Sequence, residues 1–370
     1  MGNHEAKILF AGGGTGGHIY PALATIEMLK SMGNFEFLYV GGYRGLENEI
    51  LPGTGTPFKK IWISGFQRSV SLRNLLFPIK VAVSLLQSWL ILHRFKPGVV
   101  VGTGGYVSGP VVYLAAKMGI PTLIQEQDSY PGVTTRLLAR YAGVICLPYS
   151  VVKEHFREVK AELLVTGNPV RKSLQLVEKK EACAKWDLDP ARPVVFVFGG
   201  SQGAQSINNA IADLAEMLSE KYAVQFLWQA GNKNYPAIRN MPVASHPDVR
   251  VLDYIESMGM AYSAADIIVS RAGAITLAEL ALARKPVVLV PYPYAAANHQ
   301  EHNARTIAEA GAALLVNEDS QFHLRLQEAI EALLTNDQQR EKMTVAWDSL
   351  QRPGAAAAIA GKIIEIMKKV

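Results

Sequence analysis

The sequence predicts an α/β protein of two doubly wound, parallel-sheet domains that face each other across a cleft. Three observations lead there. Short β-rich runs alternate with segments of helical apolar spacing along nearly all of the 370 residues, the pattern of parallel sheets covered on both faces. One opening occurs twice: "KILFAGGGTGGH" at 7–18 and "VVFVFGGSQGAQ" at 194–205 each read as a buried strand, a glycine turn and a helix start. Between them, "TGNPVRKSLQLVEKKEACAKWDLDPARP" at 166–193 loses hydrophobicity, gathers charge and brings in Pro169, Pro190 and Pro193, as a linker into a new domain does.

The first domain is expected over 1–168. Its strands fall at 7–11, 36–40, 99–101, 122–125, 144–147 and 163–166, where apolar residues run together. The second domain, 169–349, repeats the rhythm with strands at 194–198, 225–229, 249–252, 267–270, 287–290 and 313–315. Segment 79–92 is apolar over most of a helix circumference and reads as core. A closing helix at about 350–370 carries lysines at its C-terminal end, which suits the helix dipole. It is expected to pack back on the first domain. Ligands of such sheets bind at the carboxyl ends of the strands.

Composition removes several classes. Cys146 and Cys183 have no close spacing and no histidine neighbours, so neither a disulfide framework nor a zinc site is expected, and a reducing cytoplasm fits. The run "VVYLAAKMGIPTLI" at 111–124 is interrupted by Lys117 and Pro121, and no apolar run reaches the roughly 20 residues that cross a bilayer. "MGNHEAKILF" lacks the pattern of an export leader. The formal net charge is +5, yet residues 51–125 hold no Asp or Glu, while Lys59, Lys60, Arg68, Arg73, Lys80, Arg94, Lys96 and Lys117 contribute +8. Such a surface attracts nucleic acid, anionic lipid or a diphosphate, and charge alone does not choose among them.

The glycine turn narrows the choice. "GGGTGG" at 12–17 lets the backbone approach an anion, and the helix that follows offers unpaired N–H groups and a positive dipole end. A dinucleotide site would also need an acidic residue at the end of the second strand. Here "FLYVGGYRG" at 37–45 has none before Glu47, so NAD is not implied but phosphate is. A second turn, "VGTGGYVSGP" at 101–110, again follows a strand. Two such turns in one domain can bracket a diphosphate.

The stretches "GGGTGGHIYPALA", "GTGGYVSGP", "QEQDSYPG", "GNPVR", "GGSQGAQSIN" and "SRAGAITLAEL" followed by "NHQEHNA" stand in one order between residue 7 and about residue 316. Together they resemble the MurG family, the bacterial peptidoglycan glycosyltransferases that add N-acetylglucosamine to lipid I to make lipid II. The resemblance implies a GT-B fold, UDP-N-acetylglucosamine (UDP-GlcNAc) as donor, and a membrane-bound acceptor, undecaprenyl-diphosphate-linked N-acetylmuramoyl pentapeptide. It also implies an inverting transfer with no cofactor and no metal required for the chemistry. The expected place is the cytoplasmic face of the cell membrane, on an anionic membrane surface and among other cell-wall synthesis proteins, with no nucleic-acid partner.

Within that resemblance the second domain holds the donor. "SRAGAITLAEL" follows a strand and opens a helix, so the N–H groups of Ala274, Ile275 and Thr276 can face the diphosphate. Leu277 and Ala278 continue the helix, and Glu279 lies a turn deeper to accept from both ribose hydroxyls. Ser201 is to give its hydroxyl and N–H to a phosphate, Arg171 to bind the diphosphate, Ile255 to contact uracil through its backbone and Gln300 to read the sugar hydroxyls. Thr15, Gly16, Gly17 and Asp128 complete the donor contacts. His299 stands where the family often has a second glutamine. Asp128 stands where it usually has asparagine, so a group that cannot donate unless protonated replaces one that can.

The acceptor's diphosphate is assigned to Gly14, Thr15, Gly16, Gly17, His18, Gly104, Gly105 and Tyr106. His18 is the favoured base for the acceptor's proton, with Glu126 and Asp128 as rivals. An imidazole at a helix start is held neutral and able to accept a proton. It can equally donate to the diphosphate or cap the loop. "DLD" at 187–189 lies in the linker rather than beside a phosphate site, so no metal motif stands out.

In "WISGFQRSVSLRNLLFPIK" at 62–80, Phe66, Leu72, Leu75, Leu76 and Phe77 are interleaved with Arg68, Arg73 and Lys80, the make-up of a surface that dips into anionic lipid. Two rival readings remain. A UDP-GlcNAc 2-epimerase shares the architecture but has no use for the acid-free surface or the second glycine turn. A non-catalytic binder of lipid or nucleic acid needs neither Glu279 nor Gln300.

Overall fold

The structure, a computed structural model, describes residues 6–65, 76–171 and 174–368. The chain divides into two compact units, Met1–Arg171 with Arg352–Val370, and Lys172–Gln351. The strands described in the first unit are β1 (Ala6–Gly12), β2 (Phe35–Gly42), β3 (Phe58–Ile61), β4 (Val99–Gly104), β5 (Thr122–Gln125), β6 (Val144–Leu147) and β7 (Glu162–Val165). They form one sheet in the order β3-β2-β1-β4-β5-β6-β7, every pair parallel. The strand order reverses between β1 and β4, which is where a doubly wound sheet opens a crevice at its carboxyl edge. Both strands end in glycine there, at Gly12 and Gly104.

Packing explains why this sheet reads as nearly continuous apolar runs. Ile8 and Phe10 of β1 join Val99 and Val101 of β4, Ala22, Ile26 and Leu29 of the Gly16–Met32 helix, and Ile359, Ala360 and Ile363 of the Ala355–Met367 helix in one buried cluster. The last helix is therefore part of the first unit's core. Its Lys362 pairs with Glu162 of β7 at 2.7 Å.

Two features differ from the expectations. The strand β3, "FKKI", was not anticipated: Lys59 and Lys60 are exposed on a four-residue edge strand, where lysines protect an edge and mask its β signal. The apolar helix expected as core runs Phe77–Phe95, and its buried residues are Ser84, Ser88 and Leu92. Ile79, Leu86, Trp89 and Leu90 are exposed instead. Leu76 precedes the helix and is exposed, Phe77 begins it, and Lys80 Nζ donates to Ser64 Oγ at 2.9 Å. Phe66, Arg68, Leu72, Arg73 and Leu75 lie outside the described residues. Among the described residues no helix is long and apolar enough to cross a membrane.

The second unit contains β8 (Val194–Phe198), β9 (Gln225–Gln229), β10 (Val249–Leu252), β11 (Ile267–Ser270), β12 (Val287–Leu289) and β13 (Ala313–Leu315). Their order is β10-β9-β8-β11-β12-β13, again all parallel. The Gln205–Tyr222 helix buries Ile207, Ile211, Leu214 and Leu218, a stripe at steps of three and four that covers one face of the sheet. Every run expected to be a strand is one.

Candidate functional site

Because β1 and β4 are neighbours, the two glycine turns that follow them meet. A Cβ on Gly105 would fall 2.3 Å from the Gly13 carbonyl oxygen, so only glycine admits this approach. Ser108 Oγ ties the turns together, lying 2.7 Å from the Ala11 carbonyl oxygen and 2.8 Å from that of Gly104.

His18 stands in the first turn of the Gly16–Met32 helix, whose N-cap is Thr15. Its Nδ1 is 3.0 Å from the Gly13 carbonyl oxygen and 3.3 Å from Thr15 Oγ1. A carbonyl oxygen only accepts, so Nδ1 carries the hydrogen, and the lone pair of the neutral ring sits on Nε2. In that form Nε2 is able to accept a proton. Tyr106 lies over Gly14, where an added Cβ would be 3.8 Å from the phenol oxygen. Burial, and then the Glu47 carboxylate, push this phenol's pKa upward. The Gly14 N–H donates to Glu47 Oε2 at 2.9 Å and is committed inside the protein.

Glu126 and Asp128 follow β5. Glu126 is only 3% exposed. Its Oε1 accepts the N–H groups of Gln127 and Asp128, and its Oε2 accepts that of Gly132. Burial, with the charge of Asp128 second, raises its pKa. Both oxygens thus accept backbone N–H groups and hold a loop. That loop is clamped further by Gln127 Nε2, which donates to the Thr103 carbonyl at 2.9 Å, and by Asn168 Nδ2, which donates to the Gln127 carbonyl at 2.9 Å. Arg171 lies over the ring of Tyr20, 5.5 Å from its centroid.

In the second unit the Ala274–Ala283 helix begins directly after Gly273, with Ile275 and Thr276 in its first turn and Leu277 and Glu279 buried. Tyr262 donates its hydroxyl to Glu279 Oε2 at 2.9 Å. Ser201 is exposed in the turn between β8 and the Gln205–Tyr222 helix. It does not cap that helix, whose N-cap is Ala204. The Ile255 N–H already donates to Gln229 Oε1 at 2.9 Å, so of its two backbone groups only the carbonyl is left for a base. Gln300 Oε1 accepts the Tyr292 N–H at 3.0 Å, which orients the amide and leaves its NH2 as donor. His299 is turned toward the Ala296 carbonyl at 2.6 Å.

Residues 8–146 match the glycosyltransferase family 28 N-terminal domain, and residues 194–358 match the glycosyltransferase family 28 C-terminal domain. The chain belongs to glycosyltransferase family 28. A relative in Christiangramia forsetii, the UDP-N-acetylglucosamine–N-acetylmuramyl-(pentapeptide) pyrophosphoryl-undecaprenol N-acetylglucosamine transferase, is 40% identical over 365 residues, covering 98% of each chain. The crystal structure of Acinetobacter baumannii MurG superposes with a TM-score of 0.79 at 27% identity, over 97% of this chain and 99% of that one. Each unit is thus a Rossmann-like half of the GT-B fold. The UDP-GlcNAc 2-epimerase of Neisseria meningitidis has a TM-score of 0.66 at 16% identity, over 98% of this chain and all of that one. That likeness is one of fold.

Several residues of this family 28 chain escaped the sequence reading. Glu47, Ser108, Gln127, Gln229 and Tyr262 support the site from behind, each by bonding backbone or a carboxylate. Arg271 is another: it bonds the Val290 and Pro291 carbonyls, Ser206 and Glu318, fixing the start of the loop that leads to Gln300. A sequence signal existed for Glu47, the first acid after Gly41, Gly42 and Gly45.

Proposed function

We infer that this chain transfers N-acetylglucosamine from UDP-GlcNAc to the 4-hydroxyl of N-acetylmuramic acid in lipid I, giving lipid II for peptidoglycan. The observation that carries the reading is the junction of two glycine turns around a tautomer-fixed His18, in a chain 40% identical over 98% of its length to a transferase so named.

The chemistry follows from the residues. The acceptor's diphosphate sits against Gly16, Gly17, Gly104 and Gly105, where backbone approaches closely and the helix dipole is positive. The acceptor's 4-oxygen attacks the anomeric carbon in line and its proton passes to His18 Nε2. The bond from that carbon to the UDP oxygen breaks, and the electron pair leaves with UDP, inverting the centre. The leaving charge is met by the N–H groups at Ala274, Ile275 and Thr276, by Ser201 and by Arg171, so the step needs no metal. Glu279 accepts from the ribose hydroxyls, while Gln300 donates to the sugar.

Attachment to the cytoplasmic face of the membrane belongs to the same reading. What supports it is the exposed apolar face of the Phe77–Phe95 helix, with Leu86 59% and Trp89 44% exposed, flanked by Lys80, His93 and Arg94. Basic groups around an apolar face suit anionic lipid.

The test is direct. Purified protein is incubated with labelled UDP-GlcNAc and a short-chain lipid I analogue, with EDTA present. Labelled disaccharide supports the reading, and donor consumption without disaccharide, or none at all, removes it.

A further inference from the structure

We propose that Glu47 is a positioning residue that acts through a single peptide group to set the orientation and tautomer of His18; this rests on the transferase reading above. Glu47 opens the short Glu47–Ile50 helix and is 0% exposed. Its Oε2 accepts the Gly14 N–H and its Oε1 accepts the Gly42 N–H, both at 2.9 Å. A Cβ on Gly13 would fall 2.5 Å from Oε1, one on Gly45 2.3 Å from Oε2, and one on Gly41 2.7 Å from Cγ. Glycines from two separate segments therefore vacate the space that this carboxylate fills, which makes a built socket rather than a chance contact.

The consequence lies in the peptide between Gly13 and Gly14. Its carbonyl oxygen and its N–H belong to one planar trans group and point in opposite directions; the described backbone has no cis bonds. On the N–H side is Glu47 Oε2, and on the carbonyl side is His18 Nδ1 at 3.0 Å. Pulling the N–H toward Glu47 aims the carbonyl at the imidazole. The carboxylate, the peptide and the ring form a chain of hydrogen bonds in which each member polarises the next. The carboxylate thereby does at one remove what an acid bonded directly to a catalytic histidine does: it selects the Nδ1–H form and leaves Nε2 to accept. It also explains why an acid is tolerated beneath a turn meant for phosphate. The carboxylate takes the N–H that faces inward, and the later N–H groups of the helix start are left for the ligand.

The test compares the wild type with Glu47→Gln and Glu47→Asp. The amide of Gln must present a donor to one of the two N–H groups, so one bond is lost at almost unchanged volume. Expected for Glu47→Gln is a kcat reduced by roughly 10- to 100-fold, the size of one hydrogen bond to a charged group. UDP-GlcNAc affinity by calorimetry should stay within about twofold, since the donor is held elsewhere. The ¹⁵N resonances of His18 should move from the Nδ1–H form toward a mixture of tautomers. Glu47→Asp, which keeps the charge on a shorter arm, should recover part of kcat and of the wild-type His18 spectrum. A folded Glu47→Gln protein with wild-type kcat and an unchanged His18 spectrum would overturn the proposal. So would unfolding of both variants, which would make Glu47 a support of the whole unit. If the wild type makes no disaccharide, the transferase reading fails, while the His18 spectra still decide whether Glu47 controls the ring.

Discussion

The imidazole of His18 is bonded through Nδ1 to the carbonyl oxygen of Gly13 at 3.0 Å, so in the neutral ring the lone pair lies on Nε2. This relationship separates a base from a cap. A histidine that merely closed the loop would be replaceable by any group that bonds the Gly13 carbonyl. His18→Asn, which can still donate to that oxygen, is therefore expected to fold normally and bind UDP-GlcNAc as the wild type does, yet to lose turnover by roughly 100- to 10 000-fold. Turnover near wild type in this variant, measured with a short-chain acceptor, would leave His18 with a structural role alone.

Gly104 tests the same junction from the other strand. It has φ +103°, and an added Cβ would lie 2.5 Å from His18 Cδ2 and 2.9 Å from Nε2. Gly104→Ala should therefore displace the ring and cost about 1–3 kcal/mol from the unfavourable φ. Its signature is a fall in kcat with donor affinity retained, readable by pairing activity with calorimetry. A variant that is stable and fully active would show that the turn can shift without cost to the ring.

The legible and illegible parts of this molecule divide along physical lines. Strands buried on both faces, such as "VVFVF", announce themselves, and so do glycine turns that follow them. Strand β3 stayed hidden because its lysines serve its edge. The Phe77–Phe95 helix differs from its reading as core because an apolar run does not say which of its residues pack against the rest of the chain. At the site, the residues expected to touch ligand carry short motifs, so the sequence can nominate them. Glu47, Gln229 and Tyr262 could not be paired with Gly14, Ile255 and Glu279, since a bond across 17 to 33 positions leaves no periodic trace.

Tyr262 offers a prediction for the second unit. It is fully buried, packs against Phe196 and Phe198, and its hydroxyl donates to Glu279 Oε2. Tyr262→Phe keeps the packing and removes a bond to a carboxylate, worth about 1.5–3 kcal/mol. Part of that reaches the donor, so affinity for UDP-GlcNAc should weaken by roughly tenfold, with Glu279→Gln weaker still. Calorimetry with UDP is the measurement. Equal affinity in all three proteins would remove Glu279 from the donor site.

Glu126 predicts a pH dependence of stability. Burial, and secondarily the charge of Asp128, push its pKa from the ordinary 4.5 up to about 7. An acid whose pKa is raised on folding holds its proton more tightly in the native state. Its contribution is complete below about pH 4.5 and is lost as the pH rises through about 7, up to roughly 3 kcal/mol in all. Denaturant titrations between pH 4 and 8 should show the wild type losing stability across this window and Glu126→Gln following a flatter course. Parallel courses would mean that the three backbone N–H donors keep Glu126 ionised throughout.

The exposed face of the Phe77–Phe95 helix makes the last prediction. Among its apolar residues Leu86 and Leu90 are one helical turn apart, so they share a face, and His93 and Arg94 continue it toward the C-terminal end. If that face enters lipid, each buried leucine contributes about 1.5–3 kcal/mol, and a carboxylate placed there is repelled by anionic headgroups as well. Leu86→Glu should thus lower binding to vesicles containing anionic lipid by tenfold or more, and raising the salt should weaken wild-type binding because the basic groups are screened. Turnover of a short-chain, water-soluble acceptor should not change, since the Leu86 side chain is exposed. Vesicle binding indifferent to both Leu86→Glu and salt would transfer the membrane contact to another surface, and loss of soluble-acceptor turnover would show instead that the helix supports the fold.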